Sequence, residues 1–148
     1  MKHNSHISHI SHISHISQNH YFVMFVITII AGLLSTMNVW VDKYQDIRYS
    51  INDVYMILLM AGWMLFFMGL FNKDFIPCFI GLLIAIISIW CIRNQFLINE
   101  SQYKMGMIPH HSMAIHMSKK LLEKNNNIKP FLQNIITTQE NEINFMKR

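Results

Sequence analysis

The sequence predicts an all-α fold: three transmembrane helices followed by a C-terminal helical hairpin. Three uncharged apolar runs, Tyr21 to Val41, Val54 to Phe71 and Phe75 to Ile92, each have about the length that crosses ~30 Å of hydrocarbon. The composition agrees, with 52% hydrophobic and 14% charged residues, where an ordinary soluble domain carries about 25% charge. The polar end then shows apolar residues at helical spacing, broken by Asn125-Asn126-Asn127 and Pro130.

Residues 1–20 read MKHNSHISHISHISHISQNH, with Ser-His-Ile repeated four times from Ser5 to Ile16 and histidines at 3, 6, 9, 12, 15 and 20. A period of three suits neither a helical face nor strand alternation, so a disordered His-rich tail is expected. Dense imidazole makes it either a loose metal-gathering tail or low-complexity drift. It is not a signal peptide: it has one lysine, no small-residue cleavage site, and a segment long enough to span after it.

Residues 21–95 form the membrane region. Trp40 and Trp90 close the first and third spans, which three-span alternation places at one interface, as an aromatic belt requires. The Asn72-Lys73-Asp74 link makes the second and third spans a tight antiparallel hairpin, and Pro77 falls in a first turn, where its missing N–H costs nothing. Gly62 and Gly69, with Gly81 and Ala85, allow helices to approach closely. Met56, Met60, Met64 and Met68 form a slanting stripe on the second span. Such a stripe either fills apolar gaps or offers a thioether ladder to Cu(I). Cys78 and Cys91, 13 residues apart, stand roughly 20 Å apart along a helix and cannot pair.

Residues 96–148 are the hairpin. Asn125 to Asn127 end its first helix, and Pro130 suits the first turn of the second. At 100° per residue, Met107, His110, His111, Ala114, Met117, Ser118 and Leu121 share one face, while His116 points away and reads as a surface histidine. On the second helix Leu132, Ile135, Ile136, Gln139, Glu142, Ile143 and Met146 form the matching stripe. A face mixing imidazole, thioether and carboxylate is poor hydrocarbon core but a sensible coordination shell for a soft to borderline cation. The excess charge of this end, seven Lys/Arg against four Glu over 94–148, is too thin for a nucleic-acid partner. No zinc-protease spacing occurs, since His111 and His116 are five apart with no glutamate after the first. No Ser or Cys sits beside a base with an orienting partner, so an enzyme is not expected.

The pattern Glu100-x-x-Tyr103-x-x-x-Met107-Ile-Pro-His110-His111-x-x-Ala114-Ile115-x-Met117, then Ile136-x-x-Gln139-x-x-Glu142-Ile143-x-x-Met146, resembles the domain-of-unknown-function family 305. The rest of the chain is similar to a membrane-anchored subgroup in which three spans and a Trp-x-x-Arg-x-Gln junction, here Trp90 to Gln95, precede the domain. The resemblance implies a ferritin-like half-bundle, copper as cofactor, and metal contacts at Met107, His110, His111, Met117 and Met146, with Gln139 and Glu142 in support. Glu100 and Tyr103 stand where the family more usually has Asp and Phe. The resemblance also implies an exported C-terminal domain. The charge rule points the other way, because Lys43, Arg48, Arg93 and Lys104 outnumber Lys2 and Lys73 across the membrane; the resemblance is followed here.

The expected function is an integral membrane copper-binding protein, with Cu(I) favoured, serving homeostasis, buffering or sensing. A three-span copper permease using the Met56–Met68 stripe, or a metal-free membrane anchor, are the alternatives. Two helices of about 50 residues bury too little to stand alone, so a homodimer completing a four-helix bundle is expected.

Overall fold

The computed structural model describes residues 19–148 in full. Its elements among the described residues are all helices, α1 (His3–Leu34), α2 (Ile51–Asn72), α3 (Phe75–Asn94), α4 (Glu100–Leu122) and α5 (Lys129–Met146). Before Asn19 only the helical backbone from His3 is described, so the metal expected at His3 to His15 falls on side chains outside that description, and nothing tests the disorder expected over 1–20.

Three segments are long and apolar enough to cross a membrane, Asn19–Trp40, Ile51–Asn72 and Phe75–Asn94. The first differs from the uninterrupted helix expected over 21–41. Its α-helix stops at Leu34, and a 3₁₀ turn follows at Met37–Trp40. Local polar side chains explain the break. The Asn38 amide donates to Thr36 Oγ1 at 3.1 Å and to the Arg48 carbonyl at 2.7 Å, while its oxygen accepts from the Arg48 N–H at 3.0 Å. One side chain thus satisfies both the N–H and the carbonyl of Arg48 across the loop.

The chain divides into two compact units. The first comprises Met1–Gly32 and Met56–Cys91. Its helices meet through small residues: a Cβ built on Gly62 would lie 2.9 Å from both Ala85 N and Gly81 O, and one on Gly69 would lie 2.5 Å from Cys78 N. Gly81 in turn faces the Phe66 N–H and the Gly62 carbonyl. The α2–α3 backbones therefore touch, as the small residues predict. The link closes with Lys73 in the left-handed region at φ 56° and the Asp74 N–H donating to the Gly69 carbonyl at 2.8 Å, a C-cap that lysine fills where glycine is usual. Phe67, Phe71, Phe75, Phe79 and Ile86 are exposed, as lipid-facing side chains are. Cys78 and Cys91 are free thiols.

The second unit comprises Leu33–Tyr55 and Ile92–Arg148. It is larger than the hairpin expected at 96–148, because the 33–55 segment belongs to it. Ser50 opens α2 with a capping box, its N–H donating to Asp53 Oδ2 at 2.8 Å. Asn99 caps α4 by accepting from the Gln102 N–H at 2.9 Å. Between α4 and α5 the Asn126 amide donates to the Leu121 and Lys124 carbonyls and its oxygen accepts from the Ile128 N–H. Pro130 occupies the first turn of α5, as expected.

Candidate metal centre

The hairpin core is made by Ile108 and Ile115 of α4 and Ile143 of α5, with Ile136 and Met146 packed against it. Each helix contributes residues seven apart, two turns on one face. This core face of α4 is rotated by roughly 100° from the His-Met face read in the sequence, although Ser118 of that face is buried too. The physical reason is that Ile108 and Ile115 gain more from burial than imidazole or an edge thioether does.

Rotation separates the two adjacent histidines. His111 turns toward α5, where Nδ1 lies 3.0 Å from Glu142 Oε2. The His111 side chain is 12% exposed and that of Glu142 47%. The approach lacks hydrogen-bond alignment, so His111 Nδ1 is a buried polar atom without a hydrogen-bond partner. Burial pushes the imidazole below its ordinary value of 6.5; Glu142 pulls it back up, and His110 adds to the lowering. A groove of about 390 Å³ opens at this point, lined by Tyr103, His111, Asn141, Glu142, Phe145 and Met146. It joins one imidazole, one carboxylate and one thioether, donors that together suit a soft to borderline cation.

The other predicted ligands lie elsewhere. His110 is exposed and its Nδ1 sits 3.3 Å from Met37 Sδ, in the 3₁₀ turn of the loop. The two histidine rings are 6.1 Å apart, edge to face. Met117 is 52% exposed, while Met107 and Gln139 are partly buried; none of the three lines the groove. His116 is partly buried rather than a fully exposed surface histidine. On α2, Met56 and Met60 are exposed and Met64 and Met68 partly buried. Among the described residues no group of three or more His, Cys, Asp or Glu is placed to hold a metal, so any centre here depends on thioether donors.

Sequence reasoning missed the loop that packs against α4. Ser112, fully buried, donates to Asp46 Oδ2 at 2.7 Å and accepts from the Asp42 N–H at 2.9 Å. Asp46, 2% exposed, also pairs with Lys147 beside α5. Lys119 pairs with Asp42 at 2.7 Å, a hydrogen bond that holds its ammonium above the ordinary value. The signal was present as Asp42 and Asp46, two of four aspartates in the chain, in a loop otherwise read only for its positive charge.

The fold and the site define a class of protein: an all-helical chain with three helices apolar enough to span a membrane and a polar helical hairpin after them. Residues 98–148 match the family model described as Domain of unknown function (DUF305). An uncharacterized protein of Acanthamoeba polyphaga mimivirus is 44% identical over 131 residues, covering 84% of this chain and 86% of that one. The chain belongs to the family of that protein, with the DUF305 domain at its C-terminal end. No solved structure matches it.

Proposed function

We propose that this is a multi-pass membrane protein whose C-terminal hairpin binds copper, chiefly Cu(I), for homeostasis, buffering or sensing, with the hairpin on the extracytoplasmic side. The observation that carries the reading is the convergence of His111, Glu142 and Met146 on one groove, with buried His111 Nδ1 3.0 Å from Glu142 Oε2. An imidazole held neutral by burial is already in the form that binds metal. Glu142 adds a hard donor and Met146 a soft one, which favours copper over calcium or magnesium. The exposed Met117, Phe131 and Phe145 leave apolar surface on the hairpin for a second copy, so the working form in this reading is a homodimer.

The test is Cu(I) titration of the full-length protein in detergent against a chromophoric chelator. Loss of the tightest binding in His111→Ala supports the reading. Binding unchanged in that variant overturns it.

A further inference from the structure

We propose that His110 and Met37 form a second site for a soft monovalent cation, beside the groove, with the His110 ring 6.1 Å from that of His111. The two residues lie 73 positions apart, yet His110 Nδ1 and Met37 Sδ approach to 3.3 Å. Metal–nitrogen and metal–sulfur bonds of about 2.0 and 2.3 Å at a tetrahedral angle set the two donors roughly 3.5 Å apart, close to the separation found. An aromatic nitrogen and a thioether are the neutral, polarisable donors that Cu(I) and Ag(I) select over Zn(II) or Mg(II).

The pair is accessible and held in place. His110 is exposed and Met37 is 37% exposed, so an ion reaches both from solvent. Met37 does not ride on a free loop. Next to it Asn38 clamps the backbone of Arg48 from both sides. Further along, Ser112 binds the Asp42 N–H and the Asp46 carboxylate two residues beyond His110. The loop is thus fastened to α4 within one turn of the histidine, and ordering the donors is done before any ion arrives. A two-donor site open to solvent leaves coordination positions vacant, which suits receiving or passing on an ion rather than storing it.

An imidazole N–H donating to the thioether would give the same distance, and the test separates the two. Full-length protein in detergent is treated with hydrogen peroxide, with and without Ag(I), and methionine sulfoxide is quantified by peptide mass spectrometry at Met37 and Met146. The expected result is strong Ag(I) protection of Met37 that disappears in His110→Ala and persists in His111→Ala. Equal oxidation of Met37 with and without Ag(I), or protection that survives His110→Ala, overturns the proposal. Protection of Met146 reports on the groove alone, so failure of the copper reading there and failure of this second site are seen independently.

Discussion

His111 Nδ1 stands 3.0 Å from Glu142 Oε2 without the alignment of a hydrogen bond, so the carboxylate acts on the ring chiefly through its charge. Burial lowers the folded value of His111 below 6.5, and Glu142 opposes that shift. The unfolded chain therefore takes up this proton first as pH falls. The contribution of neutral His111 to stability is complete above about 6.5, declines as pH drops toward the folded value, and levels off beneath it. Glu142→Gln removes the group that raises the value, so the His111 resonance should titrate at lower pH in that variant when followed by NMR. A move to higher pH contradicts the assignment.

The Ser112–Asp46 bond, reinforced by Lys147, puts a nearly inaccessible carboxylate beneath α4. Asp46→Ala leaves the buried Ser112 hydroxyl without its acceptor and frees Lys147, a loss of about 3–5 kcal/mol by the behaviour of broken buried pairs. Ser112→Ala leaves the carboxylate its lysine and should cost less, about 1–3 kcal/mol. Denaturant unfolding followed through the hairpin helices reads both. Equal, small effects would mean that the loop is not fastened to α4 in solution.

In the first unit the decisive contact is backbone on backbone. A Cβ at Gly62 meets Ala85 N and Gly81 O at 2.9 Å, neither of which can turn aside. Gly62→Ala gains about 1 kcal/mol of helix propensity but forces the helices apart, at roughly 1–3 kcal/mol or more. The variant should be less resistant to thermal aggregation in detergent. At Gly106 a new Cβ meets only Ser50 Oγ at 3.3 Å and its Cβ at 3.6 Å, so Gly106→Ala should be close to neutral and serves as the control.

Orientation has a direct readout. A reporter that fluoresces only in the cytoplasm, fused after Arg148, should stay dark if the hairpin is extracytoplasmic. A bright fusion would favour the arrangement that the Lys43, Arg48, Arg93 and Lys104 charges indicate.

Much of this fold was legible because uncharged runs of 18 or more residues have few alternatives. The hairpin was legible too, since Asn126 and Pro130 act on their own neighbours and need no tertiary partner. The candidate site was only half legible. A helical wheel gives relative directions on one helix and no absolute rotation against the next, so Ile108 and Ile115, absent from the predicted face, decided which side of α4 met α5. That rotation kept His111, Glu142 and Met146 together and sent His110 to Met37 instead. No local pattern links residues 73 positions apart, and the Met37 approach depends on the loop that Asp42 and Asp46 fasten.

The last prediction sets thioether against imidazole within the groove. Met146 packs against Ile108, Ile115 and Ile143 while also lining the groove beside His111. Met146→Leu keeps volume and apolarity nearly constant, so the hairpin should survive at a cost below roughly 1.5 kcal/mol. Cu(I) loses its soft donor, and its affinity should fall by about tenfold or more, the equivalent of about 1.4 kcal/mol. Zn(II) is content with imidazole and carboxylate, and its binding should change little. Met117→Leu, at a position 52% exposed and outside the groove, should leave both ions unaffected, although its residue type made it as good a candidate in the sequence. Competitive titration of each variant with both ions distinguishes the cases. Equal loss of Cu(I) and Zn(II) in Met146→Leu would mean that the thioether only packs, and loss of Cu(I) in Met117→Leu would place the soft donor on the other face of α4.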